Sequence, residues 1–343
     1  MARIAVIGAG AIGCTIGALL SRAGQDVTLI GRPEQVAAIR KGGLHIEGAL
    51  GRFIVQVPVA EQLDFRPALA LLAVKTQDVV PAVQTHLPFL TDVPLVTLQN
   101  GLRSDDLVAD VLPPHQIVSA VVSIIATYLT PGTVTVISPG SLVIGHPFAA
   151  IEPLLPMVAE TLNQAIPTHI STNIRGAHWL KLLVNVNNAL PAITNRTVQE
   201  VYADPYLSQL VVRLLREGLA VVQRAEIKLE SLPDVSVALI RLLGRLPVRL
   251  AARLASAKVR RTVSTLPVLG STLQSLRRHR STEIDYLNGE IVRLGTEVGS
   301  PTPFNAVVVE MVHRVEKQGR FLGVNAIRKA IATGGRKLQA KKS

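Results

Sequence analysis

The chain carries one cysteine, Cys14, among 343 residues. That excludes an intrachain disulfide framework and fits a reducing, cytoplasmic compartment. Cys14 directly follows a glycine turn and reads as a small packing residue rather than a nucleophile. Aromatic side chains are scarce at 3 %, so the core must be built from Leu, Val, Ile and Ala. No aromatics interleave with the basic residues to stack nucleobases, which argues against single-stranded nucleic acid as a partner. No run of about 18 apolar residues occurs, so no membrane span is expected. The mostly apolar stretch 117–126 is short and suits a buried parallel strand. Arg3 before an apolar run imitates a secretory leader, but strand and helix periodicity continue past it, so the leader reading is rejected. Apolar residues make up 48 % and charged residues 17 %, a globular composition long enough for two domains.

Acidic residues are outnumbered, and the formal net charge is +12. A phosphorylated cofactor and an anionic substrate both suit that balance, and no nucleic-acid partner is expected. The excess is uneven. Arg241, Arg245, Arg249, Arg253, Lys258, Arg260 and Arg261 crowd one region, and Arg336, Lys337, Lys341 and Lys342 crowd the tail. Spacing of four predicts one helix face for the first group, with Pro247 interrupting; a solvated face or an oligomer contact is favoured over membrane or nucleic-acid binding.

The most informative segment opens the chain. Ile4-Ala5-Val6-Ile7 leads into Gly8-Ala9-Gly10-Ala11-Ile12-Gly13, and a helical apolar pattern follows. This is the strand, glycine turn and helix of a dinucleotide-binding βαβ unit. Gly8 permits the tight turn, Gly10 lets the backbone approach a pyrophosphate, and Gly13 lets the helix pack close to the strand. The helix N-terminus then offers N–H groups and a positive dipole end to the phosphates. The second strand, Val27-Thr28-Leu29-Ile30, ends in Gly31-Arg32 where an NAD site usually places a carboxylate. A guanidinium grips a 2′-phosphate that a carboxylate would repel, so the cofactor reads as NADP(H), with Arg40 and Lys41 adding positive potential. A solvated Arg32 is the competing reading, and nearby Glu34 keeps some NAD use open.

After the second strand, 44–47 and 53–57 read as a small β excursion; strand-like runs at 69–74, 95–98, 117–124, 133–137 and 142–144 then alternate with helical ones, predicting a mostly parallel, doubly wound α/β sheet. Ligands bind beyond the carboxyl ends of such strands, so the Lys75–Asp78 and Gln99–Gly101 turns face the cofactor. Lys75, Gln77 and Asn100 are therefore cofactor candidates. Near residue 170 the periodicity turns helical. The expected organisation is a Rossmann domain over 1–170, an all-α domain over 171–325 and a basic tail over 326–343.

In the helical half, Lys181, Asn185 and Asn188 fall at i, i+4 and i+7, on one face of an otherwise apolar helix. Burying them without partners is costly, so they read either as a solvated stripe or as the wall of a cleft. Ser271 and the segment from Arg280 to Gly289 form a second polar cluster. Thr282 and Asp285 have capping-box spacing. Glu283 is expected in the first helical turn, where it would complement the dipole.

With these motifs in order, the chain resembles the ketopantoate reductases (2-dehydropantoate 2-reductases), from the first strand to about residue 320. The matching pieces are the glycine fingerprint, Gly31-Arg32, Val74-Lys75, Gln99-Asn100-Gly101, Lys181-Leu-Leu-Val-Asn185, and Ser271 ahead of Glu283. The resemblance implies NADPH-dependent reduction of ketopantoate to pantoate at a site between the two domains. It implies that Lys181 is the catalytic proton donor and that Asn185 and Ser271 hold substrate. It places Asn100 at the cofactor–substrate junction. It assigns Arg32 and Lys75 to the phosphorylated adenosine half of the cofactor. Glu283 it makes a second catalytic candidate near the nicotinamide end of the cofactor, overriding the dipole reading. An ordinary lysine pKa of about 10.4 would keep Lys181 protonated for this work. In the family a second substrate asparagine lies four residues after the first; here that position is Ala189, with Asn188 one residue earlier as a substitute. The arginine-rich stretch over 232–269 reads as an insertion. The expected partner is a small 2-oxo acid, no metal is expected, and a homodimer is compatible. The alternatives are a reductase of a different 2-oxo acid and a non-catalytic NADP-binding regulator.

Overall fold

The computed structural model describes residues 3–148, 154–262 and 266–340. The chain divides into two compact units, Met1–His178 and Trp179–Ser343.

The first unit is built on strands whose side chains are buried on both faces. It runs β1 (Ile4–Ile7), α1 (Ala11–Arg22), β2 (Val27–Ile30), α2 (Pro33–Gly42), β3 (Leu44–Gly48), β4 (Phe53–Val55), β5 (Val59–Ala60) and β6 (Leu69–Leu72). It continues through α3 (Val79–Leu90), β7 (Leu95–Thr97), α4 (Ser104–Ala109), β8 (Ile117–Val122), β9 (Ile125–Thr130), β10 (Thr133–Ser138), β11 (Leu142–Gly145), α5 (Leu154–Asn163) and β12 (Thr168–Ile170). The main sheet has the order β12-β11-β8-β7-β6-β1-β2-β5. Only the β8–β11 pair is antiparallel. Each of β1, β2, β6, β7 and β8 is buried at every position, as parallel strands covered by helices must be. Two apolar clusters pack against the sheet, one around Val6, Leu29 and Leu71 and the other around Ile7, Leu72 and Val83.

The run over 133–137 does not continue this sheet, as its position in sequence suggests. It forms β10 in a separate sheet of order β4-β3-β10-β9. The reason lies in its pattern: Thr133, Val134, Thr135 and Val136 alternate between half-buried and buried. That period of two suits a sheet with one covered face, unlike the unbroken apolar runs at the centre. The strand β9, folded back antiparallel on β10, has no separate signal in the sequence.

Among its described residues the second unit contains helices and no strand. The helix α6 (Ile174–Asn185) crosses from the first unit, and α7 (Ala189–Thr194), α8 (Val198–Ala203), α9 (Pro205–Arg224), α10 (Val237–Arg245) and α11 (Val248–Thr262) follow. After them come α12 (Ser271–Arg277), α13 (Asn288–Glu297), α14 (Pro303–Gln318) and α15 (Val324–Ala340). The arginine-rich stretch is not one helix. Pro247 separates α10 from α11, because a prolyl ring offers no N–H and clashes with the preceding turn. Arg241 and Arg245 stand on α10, and Arg249 and Arg253 on α11. The basic tail is continuous with α15, whose Ile327 is fully buried; Lys341 and Lys342 lie outside the described residues.

The buried amide Asn305 Nδ2 donates to Glu217 in α9, 2.8 Å away, and Glu217 also accepts from the Phe304 and Asn305 backbone N–H groups. Burial pushes the Glu217 carboxyl up, against these hydrogen bonds. Glu217 thus caps the N-terminus of α14 from a distant helix, a link no local pattern announces.

Candidate active site

In the first unit the expected cofactor residues converge on one edge of the sheet. Gly8–Gly13 follow β1, Arg32 follows β2, Lys75 and Gln77 follow β6, and Asn100 follows β7. These four strands are neighbours in the order β7-β6-β1-β2 and run parallel. All these residues therefore share the carboxyl ends, where such sheets bind ligands.

The three fingerprint glycines differ in what demands them. Gly8 has φ +115°, and a Cβ there would come 2.6 Å from the Val74 backbone nitrogen. A Cβ on Gly13 would lie 2.0 Å from the Gly8 carbonyl oxygen. Gly10 has φ −90° and ψ −167°, ordinary extended backbone, and nothing lies within 4 Å of where its Cβ would stand. Neither conformation nor packing requires glycine at position 10. The open space lies over the start of α1, which has no side-chain cap and no acid in its first turn. Such a helix start suits a pyrophosphate, whose oxygens would take the N–H groups of Ala11, Ile12 and Gly13. The residues present fit a dinucleotide.

Arg32 caps α2, its backbone N–H donating to Gln35 Oε1 at 2.9 Å. Gln35 Nε2 donates in turn to the Ala9 carbonyl at 2.8 Å, tying the Arg32 corner to the glycine turn. The Arg32 guanidinium lies 3.5 Å from the Asp78 carboxylate, both about half exposed. Lys75 precedes a 3-10 turn over Thr76–Asp78 that contains Gln77. Gln99 is buried, and its Nε2 donates to the Leu72 and Val74 carbonyls at 2.8 and 3.0 Å. Gln99 thus holds the β6 and β7 ends in register and sets the Asn100 position. Gly101 next to it has φ +97°. Cys14 is fully buried and its thiol is pushed up to about 12 by burial, which leaves it unreactive.

A polar chain behind this loop was not foreseen from the sequence. The Thr97 hydroxyl donates to Asp105 Oδ1 at 2.5 Å, the Ser119 hydroxyl donates to Asp105 Oδ2 at 2.6 Å, and His178 Nε2 stands 2.7 Å from Ser119 Oγ. All four residues are buried. A further hydrogen bond ties His178 to the Gly101 backbone. Burial pushes the His178 imidazole down, opposed by the Asp105 charge.

In the second unit, Lys181 and Asn185 lie one turn apart on α6. The α-helix ends at Asn185 and tightens into a 3-10 turn over Val186–Asn188. Residues three apart eclipse in a 3-10 turn, so Asn188 stays in line with Asn185. Burial pushes the Lys181 ammonium below its ordinary pKa, and the Asp234 carboxylate partly offsets this. The expectation of an ordinary value is thereby corrected. Ser271 opens α12, and its neighbour Gly270 faces Asn188: a Cβ there would come 2.8 Å from Asn188 Oδ1. Asn188 and the Ser271 corner are therefore neighbours. Ala189, in the place of the family's second asparagine, is fully buried.

Glu283 is not in a first helical turn. It caps a 3-10 turn over Ile284–Tyr286, and α13 begins only at Asn288. The buried amide of Asn288 fixes that segment, donating to the Val186 carbonyl at 3.1 Å and to Asn305 Oδ1 at 2.9 Å. The Glu283 segment is thus anchored to the turn that follows Asn185. Asp285 faces His313 Nε2 at 2.9 Å instead of capping a helix. Among the described residues no group of three or more metal-ligating side chains occurs, and no helix is long and apolar enough to cross a membrane.

The chain spans nearly the full length of its relatives. It is 28 % identical over 319 residues to the 2-dehydropantoate 2-reductase of Pyrococcus horikoshii, covering 92 % of this chain and 98 % of that protein. Among solved structures it is similar to a PanE/ApbA family ketopantoate reductase from Ralstonia eutropha, with 30 % identity, a TM-score of 0.76 and coverage of 92 % and 99 %. It is also similar to a D-mandelate dehydrogenase solved with NADH and anilino(oxo)acetate, with 25 % identity, a TM-score of 0.77 and coverage of 92 % and 98 %. The model of the ketopantoate reductase PanE/ApbA family matches residues 4–147, and that of its C-terminal domain matches residues 173–316. The sheet edge and the lysine-bearing helix fall within those two matches, and the chain accordingly belongs to the ketopantoate reductase family of NAD(P)-dependent oxidoreductases acting on CH–OH groups.

Proposed function

We propose that this chain reduces 2-dehydropantoate to pantoate with NADPH. The observation that carries the reading is Lys181: an ammonium in a largely buried helix, with the amides of Asn185 and Asn188 in line on the following turns. Bound NADPH supplies the hydride. The chain's own residues do the rest. Arg32 and Lys75 hold the phosphorylated adenosine end, and the N–H groups of Ala11, Ile12 and Gly13 hold the pyrophosphate. Asn100, Asn185, Asn188 and Ser271 orient the 2-oxo acid, and Glu283 stands at the nicotinamide end. As the carbonyl becomes an alkoxide, the Lys181 ammonium stabilises the growing charge and gives up its proton. A lysine pushed below its ordinary pKa is a stronger acid and is better matched to that transfer.

A second reading has its own support. Ala189 stands where the resemblance places an amide that would hydrogen-bond substrate, so one polar contact to a hydroxylated acid is missing. The similarity to a D-mandelate dehydrogenase points the same way. The alternative substrate is therefore a 2-oxo acid with an apolar or aryl side chain. Following NADPH oxidation with ketopantoate, phenylglyoxylate, 2-oxoisovalerate and pyruvate separates the two. The highest kcat/KM with ketopantoate supports the first reading, and preference for phenylglyoxylate replaces it with the second. No turnover of any acid alongside intact NADPH binding makes the chain a cofactor-binding regulator.

A further inference from the structure

The hairpin of α10 and α11 carries a pattern the fold does not use. Arg-Leu pairs recur every four residues, at 241/242, 245/246, 249/250 and 253/254. The inward face of the hairpin is made by other residues. Ile240, Leu243, Ala251 and Ala252 are buried, the two helices pack on α9, and Ser256 Oγ donates to the Tyr202 carbonyl at 2.7 Å. Arg216 pins the turn between them by donating to the Leu246 carbonyl. The outward face shows Leu242, Leu250 and Leu254 at 48, 43 and 45 % exposure. Beside them stand Arg241, Arg245, Arg249, Arg253, Arg260 and Arg261, all exposed and, among the described residues, in no ion pair. From Val235 to Thr282 the chain has no carboxylate side chain at all.

We infer that this outward face is a docking surface for an anionic lipid bilayer, on which the leucines enter the acyl boundary and the arginines engage lipid phosphates. Charge and apolarity together select this occupant. Arginine stems lie along an apolar boundary while their heads take phosphate oxygens bidentately. A helix in this orientation lies in the interface and need not cross it, in keeping with the absence of a spanning helix among the described residues. A second copy of the same face would set arginine against arginine with no carboxylate between them. Nucleic acid would satisfy the arginines and leave three leucines in water.

The test is flotation of the NADPH-saturated protein with vesicles of phosphatidylcholine alone or containing phosphatidylglycerol. Two variants, R249Q/R253Q and L250S/L254S, accompany the wild type, with circular dichroism and NADPH affinity as folding controls. Binding to the anionic vesicles is expected to exceed binding to the neutral ones about tenfold. It should fall as salt rises and drop in both variants while NADPH affinity holds. Equal partitioning to both vesicles overturns the inference, as does anionic binding that the leucine variant retains in full. A duplex DNA competitor that binds wild type and L250S/L254S alike, without vesicle binding, assigns the face to nucleic acid and also overturns it.

Discussion

His178 Nε2 and the Ser119 hydroxyl stand 2.7 Å apart in the buried interior of the first unit, and Ser119 is in turn 2.6 Å from Asp105. This pair lies behind the Asn100–Gly101 turn and links it to the start of α6 through the bond between His178 and Gly101. Ser119→Ala leaves two buried polar groups short of a partner, so a loss of about 1–3 kcal/mol is expected in urea unfolding. The pH dependence has a definite sign. Burial holds the folded His178 imidazole below its unfolded value of 6.5. Below about pH 6.5 the unfolded chain binds a proton that the folded chain refuses, so acid favours unfolding there and stability rises toward neutral pH. His86, also pushed down by burial, adds to that slope. His313 works the other way: burial pushes it down, but Asp285 and Glu316 raise it above its ordinary value. Unfolding midpoints between pH 5 and 8 should therefore show a shallower acid slope in His178→Gln than in wild type. An unchanged slope would show that His178 does not carry this pH dependence.

The glycines at 10 and 13 should separate cofactor binding from folding. A methyl at Gly10 meets nothing within 4 Å in the protein, so Gly10→Ala should keep stability within about 1 kcal/mol. It should nevertheless weaken NADPH about tenfold, because the methyl occupies the pyrophosphate's approach. A methyl at Gly13 would stand 2.0 Å from the Gly8 carbonyl, so Gly13→Ala should lower Tm outright. Fluorescence titration with NADPH and thermal melting read the two effects. Unchanged NADPH affinity in Gly10→Ala would contradict the assignment of that space.

Cofactor preference should turn on Arg32. Its contact with Asp78 joins two half-exposed groups at 3.5 Å, a kind of pair worth at most about 1 kcal/mol to the fold. The guanidinium is therefore free to change partner at little cost. Arg32→Glu should weaken NADPH by tenfold or more and leave NADH nearly unchanged. Asp78→Asn, which removes a competing carboxylate, should not weaken NADPH. Titrations with both dinucleotides check this, and equal loss of NADPH and NADH would assign Arg32 to the fold instead.

The placement of the candidate cofactor residues was legible because each stands in a pattern visible locally. A glycine spacing, an arginine at a strand end and a lysine on a turn are patterns within a few neighbours. The lysine–asparagine face was legible in the same way from helical period. The Thr97–Asp105–Ser119–His178 chain was not, since its members come from a strand, a helix, a second strand and α6, and only sheet topology joins them. Glu283 was misplaced because capping-box spacing at Thr282 and Asp285 suggested a helix start, whereas buried Asn288, bonded to the Val186 carbonyl, sets the true one. The second sheet was legible only as the small excursion of β3 and β4; its other half escaped because β9 follows β8 with no turn residue strong enough to divide one apolar run into two strands.

The proposed function rests on Lys181 giving its proton to the reduced carbonyl. Steady-state oxidation of NADPH by ketopantoate in wild type and Lys181→Ala, beside NADPH affinity for both, tests it most directly. Lys181→Ala should lower kcat by about 10²–10⁴-fold while NADPH affinity stays within about twofold. In the wild type, activity should fall with rising pH along a limb below the ordinary lysine value of 10.5, since burial has lowered that group. Asp234→Asn should move the limb lower still, because the carboxylate raises the Lys181 pKa. A Lys181→Ala enzyme that loses kcat and NADPH affinity in equal measure, or keeps its kcat, would contradict the proton-donor role.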